Sequence, residues 1–176
     1  MQLKAEYFTR PATELAPALL GKLLCRRLPD GSILRRRITE TECYFGEEDT
    51  ACHAHKGRTS RTDTLYRQGG ITYVYLCYGI HSLLNIVTGP DGHPEAVLIR
   101  GVEGAEGPGR LTKALGITCA DNRLPLTYED GIWIEDDGTP QPCCVATPRV
   151  GIDYADKEDR ERPWRYCILE KSEGTV

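Results

Sequence analysis

The chain lacks most of the features that would place it at a glance. No apolar run approaches the ~20 residues that a membrane-spanning helix needs. The opening MQLKAEYFTRPATELAP carries no apolar core of the kind a secretory signal has. An intracellular, cytoplasmic protein with no membrane partner is expected. No linker, repeat or low-complexity stretch interrupts the 176 residues, so a single domain over 1–176 is expected. Neither CxxC nor HExxH occurs, and neither does a P-loop or GxGxxG. The familiar zinc and nucleotide motifs are therefore missing, and the expectation is no metal and no cofactor. Large aromatics are scarce too, with two Phe and two Trp against nine Tyr.

Cysteine is not scarce: there are eight, at 25, 43, 52, 77, 119, 143, 144 and 167. A disulfide framework calls for a shorter, secreted chain with tighter spacing. Those at 25, 43, 77, 143 and 167 lie in apolar stretches, which predicts buried free thiols. The net charge of −4 is unevenly spread. TYEDGIWIEDDGT (127–139) holds five acids and no Lys or Arg, and the rest of the chain is +1 without it. HAHKGRTSRTDTLYR (53–67) sets Lys56, Arg58, Arg61 and Arg67 against Asp63 alone. A polyanion would be met on one side of the molecule.

Along the chain, ATELAPALL reads as a short helix ending at Gly21. LLCRRL and ILRRRITETECY read as a long hairpin about Pro29-Asp30-Gly31. Residues 45–70 are polar loop. ITYVYLCY, SLLNIVT and AVLIRGV are strands, and GPGRLTKALGI is a loop feeding a helix whose amino end could hold a phosphate. GIWIE and CCVATPRVG read as further hairpin pieces, with a last strand near WRYCIL. The fold class predicted is α+β: a curved, mainly antiparallel sheet flanked by short helices.

The densest cluster of reactive side chains is TETECYFGEEDTACHAH (39–55). Period-2 alternation puts Glu40, Glu42 and Tyr44 on one strand face. A carboxylate beside an aromatic ring, with His53 and His55 close behind, suits general-base work next to a stacked ligand. The alternative is a rim strand whose acids pair with Arg35, Arg36 and Arg37, and on this segment alone that alternative is the stronger. His93-Pro94-Glu95 with Pro142-Cys143 partly mimics a zinc deaminase, but Ala146 stands where the second cysteine belongs.

YVYLCYG (73–79) places three tyrosines in six residues. Alternation puts Tyr73, Tyr75 and Cys77 on one face and Val74, Leu76 and Tyr78 on the other. On the strand alone, core packing explains them.

In order and spacing, ETECY, GEEDTACH, HKGRTSR, YVYLCYGIHSLLNI, VLIR, GPGRLTKALGI and PRVGID together resemble the alkyladenine (3-methyladenine) DNA glycosylase family, from Tyr7-Phe8 to about Tyr166. The closing LEKSEGTV departs from the family's usual ending. The resemblance implies that Glu42 is the general base activating a water against the sugar. Arg100 and the main-chain carbonyl of Val150 would hold that water. Tyr44, His53 and Tyr75 would line the pocket for the flipped base, with His53 also offering its backbone N–H. Tyr78 would wedge into the duplex, and Asn85 would obstruct the 2-amino group of guanine. Lys56, Arg58 and Arg61 are candidates for the DNA backbone.

The implied partner is double-stranded DNA containing damaged purines, with no obligate protein partner. Extruding a base costs roughly a few kcal/mol, which a wedge from the minor groove offsets in part. A cationic alkylated base stacks well on tyrosine and leaves readily, and an ionised carboxylate stabilises an oxocarbenium-like sugar. No lysine stands at a matched catalytic position, so water is the expected nucleophile. A second class of function is a non-catalytic binder that uses exposed tyrosines as a stacking platform. It predicts no special need for Glu42.

Overall fold

The computed structural model describes residues 1–169, so the closing stretch from Glu170 lies outside it. The elements run α1 (Ala12–Ala18), β1 (Leu23–Arg27), β2 (Ile33–Phe45), β3 (Thr72–Cys77), β4 (His81–Val87), β5 (Glu95–Val102) and β6 (Ala105–Glu106). They continue with α2 (Pro108–Leu115), β7 (Ile132–Glu135), β8 (Cys144–Thr147), α3 (Lys157–Glu161) and β9 (Arg165–Ile168). Single 3-10 turns at His53–Lys56 and Asp63–Tyr66 punctuate the long polar loop. The fold is α+β, with a curved antiparallel sheet in the order β3-β4-β5-β2-β1-β7, and β9 and β8 attached beside β2.

β2 organises the rest. Its first half pairs with β1, Arg35 opposite Cys25, and its second half with β5, Glu42 opposite Leu98. Register shifts between Ile38 and Thr41 mark a bulge there, which bends the strand from one partner to the next. On one side of the sheet, Leu15 and Leu19 meet Leu111 and Leu115 of α2 over Leu84, Ile86 and Ile99, all fully buried. Each such side chain contributes about 1.5–3 kcal/mol by leaving water. α1 starts at Ala12, whose N–H donates to the buried Glu95 carboxylate at 2.7 Å. α2 opens with Pro108 in its first turn and stops at Gly116, where a φ of 62° suits glycine.

Three sequence expectations need correction. GIWIE and CCVATPRVG do not pair: β7 joins β1, where Ile132 and Ile134 are drawn into the main core, while the half-exposed β8 joins β9. Of the cysteines expected inside, Cys25 and Cys43 are buried, but Cys77 and Cys167 are only partly covered and Cys143 is exposed. Cys143 precedes an edge strand and Cys77 ends a strand that projects past the core; Cys52, in a loop, is buried instead. The third concerns Tyr78. β3 ends at Cys77, and Tyr78 lies in the turn beyond it, with φ 51° followed by Gly79 at φ 70°. Ile80 N–H donates to Cys77 O at 3.1 Å to close the turn. Strand alternation therefore does not orient Tyr78; a left-handed backbone does, and it leaves the ring 91 % exposed.

For Tyr73 and Tyr75 alternation holds. Val74 enters the main core, whereas Tyr73 and Tyr75 pack on the opposite face with Tyr44, Cys52, Leu65 and Tyr66. That second, aromatic face is where the cleft lies.

Candidate active site

A cleft of about 1070 Å³ opens over the aromatic face, bounded by the His53 loop, the Val150–Tyr154 loop and the amino end of α2. At that volume it lies at the upper end of small-molecule pockets, roughly 300–1,000 Å³. Its walls are Tyr73, Tyr75 and His53. The His53 ring stands edge-on to Tyr75 at 4.5 Å, and its Nδ1 lies 3.0 Å from the Tyr73 hydroxyl. Burial first, and the charge of Arg61 second, push the His53 pKa down to about 4, so the ring is neutral at pH 7. Burial likewise pushes the Tyr75 phenol up, which leaves a neutral aromatic wall.

Glu42 sits beneath this wall and is fully buried. It is not itself part of the cleft surface; Tyr44, Arg100 and Val150, which touch it, are. Tyr44 donates its hydroxyl to Glu42 Oε2 at 2.9 Å and Val150 donates its amide N–H to Oε1 at 2.8 Å. Arg100 Nε lies 3.5 Å from Oε1 and donates to Glu40 at 2.9 Å. Glu40 is also bound by Arg165, so the Glu40–Glu42–Tyr44 face is pinned by guanidinium groups. The rim-strand alternative fails, because Arg35 pairs with Glu135 at 2.9 Å and Arg37 with Asp137 at 2.8 Å. Desolvation raises the Glu42 pKa above its ordinary value; Arg100, the Val150 N–H and the Tyr44 hydroxyl pull the other way. A buried carboxylate so held is more basic than a free one.

All the residues expected to act on the base lie in one place: Tyr44, His53, Tyr75, Asn85, Arg100 and Val150 meet in the cleft, with Tyr78 at its edge. Asn85 is buried and donates to Tyr73 O at 3.2 Å. At Val150 the amide N–H binds Glu42, which sets the residue beside the carboxylate; the carbonyl is the group expected to hold the water. The basic loop is divided. Lys56 is exposed, Arg58 pairs with Asp63 at 2.8 Å and lies over Tyr66, and Arg61 lines the cleft. α2 also reaches the cleft and brings Arg110, near its amino end, and Lys113, in its last turn, two cations that loop composition did not point to. At Gly109 a Cβ would come to 3.0 Å from the exposed His81 ring, closer than ordinary contact. The acids of 127–139 are drawn off at the other end of the sheet, with Lys22 holding Asp136 at 2.7 Å.

Sequence reasoning missed Arg149. It is fully buried and binds both oxygens of Asp49, at 2.6 and 2.8 Å, together with Cys43 O at 2.8 Å. Its guanidinium lies 4.8 Å from the Tyr44 ring. The pair fastens the 46–52 loop to the segment carrying Val150, directly below Glu42. The resemblance of His93 and Glu95 to a deaminase pair ends in structure: His93 Nδ1 lies 2.8 Å from Glu95, the carboxylate that caps α1. Among the described residues no three His, Cys, Asp or Glu side chains are grouped to hold a metal.

Comparison with known proteins gives a consistent result. The family profile described as methylpurine-DNA glycosylase matches residues 6–106 and 102–172. A protein of Psychrobacter cryohalolentis is 46% identical over 87% of this chain and 85% of its own length. One of Methanocella arvoryzae is 41% identical over 99% and 98%, and one of Nitrosococcus oceani 42% over 94% and 89%. All three bear the name "Putative 3-methyladenine DNA glycosylase".

Proposed function

The chain belongs to the methylpurine-DNA glycosylase family, and from that premise we propose that it is a monofunctional DNA glycosylase. It takes alkylated or deaminated purines (the 3-methyladenine, 7-methylguanine, hypoxanthine and ethenoadenine class) out of duplex DNA and hydrolyses the N-glycosidic bond with a water activated by Glu42. The observation that carries this is a fully buried carboxylate under an aromatic cleft, held by Tyr44, Val150 and Arg100.

Tyr78, exposed on a turn at the cleft edge, enters the duplex and fills the gap left by the departing nucleotide. The base stacks among Tyr44, Tyr75 and the neutral His53 ring, and Asn85, in the same cleft wall, would obstruct an exocyclic 2-amino group. A carboxylate accepts about four hydrogen bonds. Tyr44 takes one site on Oε2 and Val150 one on Oε1, which leaves room on Oε2 for a water proton. Glu42 accepts that proton as the water attacks the anomeric carbon, and its charge favours the oxocarbenium-like sugar. Arg100, bound to Glu40, keeps Glu42 ionised and orients the water. Arg110 and Lys113 line the cleft and, with the exposed Lys56, meet phosphates.

The decisive experiment is release of free base from duplex DNA carrying 3-methyladenine or hypoxanthine. Release by the wild-type protein, with an intact abasic strand as the other product, supports the proposal. Retention of the base on every such duplex overturns it and leaves the stacking-platform alternative.

A further inference from the structure

Arg61 behaves differently from its basic neighbours. Arg58 and Arg67 share the Asp63 carboxylate, at 2.8 and 3.2 Å. Arg61 turns inward, its guanidinium 5.6 Å from the centre of the Tyr75 ring, and forms part of the cleft wall. Among the described residues it has no carboxylate partner; its contacts are the π-face of Tyr75 and the Tyr73 hydroxyl. It is also near enough to Tyr73 and His53 for its charge to act on both rings.

A flipped base stacked on Tyr75 and a guanidinium on the same face compete for one surface. We propose that Arg61 is a charge-selective gate: a resident cation on the Tyr75 face that an entering base displaces, and whose tethered charge then disfavours bases that arrive cationic relative to neutral ones. The inference rests on the cleft being the base pocket. Once displaced, the guanidinium remains within a side chain's reach of the pocket and inside one Debye length of the base. A methylated adenine cation meets that field, whereas hypoxanthine does not. Neutral His53 adds no positive charge; of the other cleft cations, Arg100 is held by Glu40 and Glu42 and Arg110 and Lys113 stand on α2, whereas Arg61 lies against the Tyr75 ring.

The test measures single-turnover release of 3-methyladenine from alkylated duplex and of hypoxanthine from a matched duplex, for the wild type, Arg61→Gln and Arg61→Lys. Comparing the ratio of the two rates between each variant and the wild type cancels the intrinsic lability of each lesion. Removing the charge with Arg61→Gln should raise the ratio of cationic to neutral release by about three- to tenfold. Arg61→Lys, which keeps the charge without the planar group, should stay near the wild-type ratio. An unchanged ratio in Arg61→Gln overturns the gate. So does an equal fall for both lesions together with a flatter salt dependence, which would make Arg61 a phosphate ligand, and so does a Lys variant that matches Gln. If the wild type releases neither base, it is the glycosylase proposal that fails, a result distinct from any of these.

Discussion

Replacing Glu42 by Gln should move activity and stability in opposite directions. The substitution keeps the shape of the side chain and its acceptor for the Val150 N–H, while Arg100 retains Glu40 at 2.9 Å. What disappears is the proton acceptor. General-base catalysis is worth about 10²–10⁴-fold, roughly 3–5 kcal/mol of barrier at 1.36 kcal/mol per decade. Base release should therefore fall by that factor while affinity for an abasic-site duplex persists. Stability follows from the sign of the pKa shift. Burial raises the folded pKa of Glu42 above its ordinary 4.5. Its stabilising contribution is thus fully present below that value and lost as pH rises through the folded pKa. At neutral pH the buried anion is a burden, so Glu42→Gln should unfold at a higher temperature than the wild type, with the gain vanishing below about pH 4.5. For the wild type, activity should decline on the acid side through the raised Glu42 pKa. The assays are single-turnover base release and thermal unfolding across pH. Near wild-type release by the Gln variant, or a lower unfolding temperature at pH 7, would refute the reasoning.

Tyr78→Ser should slow release most for well-paired lesions, whereas Tyr75→Ser should cost about 1–3 kcal/mol regardless of pairing, read from paired and mismatched hypoxanthine substrates. Tyr78→Gly should in addition stabilise the fold by about 1 kcal/mol, since glycine occupies a φ of 51° without strain, as denaturant unfolding would report. Arg149→Met leaves the Asp49 carboxylate buried without its guanidinium, so a loss of about 3–5 kcal/mol is expected in the same measurement. Duplex affinity should fall with salt, and Lys56→Ala, Arg110→Ala and Lys113→Ala should each reduce the slope of log K against log salt by about 0.9 if each meets one phosphate. Arg58→Ala, already tied to Asp63, should change it less.

What local pattern could convey about this site depended on where each contact is made. Glu40, Glu42 and Tyr44 were legible because a strand's period of 2 survives into β2, bulge included. Tyr73 and Tyr75 were legible for the same reason. Tyr78 was not: tyrosine seldom adopts a left-handed φ, so nothing in YVYLCYG signals that the strand stops one residue early. α3 was hidden because no apolar stripe holds it; the Thr50 N–H bonded to Asp159 at 2.9 Å does. Arg149 was hidden because its partner is 100 residues away. The aromatic wall is largely local, and the support beneath the carboxylate is almost wholly non-local.

That non-locality bears on how the protein folds. The bond from Val150 to Glu42 spans 108 residues, the Asp49–Arg149 pair spans 100, and β9 must return to Glu42 from the far end of the chain. Contacts so distant in sequence repay their loop-closure entropy only after most of the sheet exists. The β3–β4 hairpin, with Tyr73, Tyr75 and the Tyr78 turn, needs no such closure. The stacking surface therefore forms early and the hydrolytic centre last. On the proposed function, a partly folded chain would hold aromatic rings against a base without cleaving its bond to the sugar, so base release would be reserved for the finished protein.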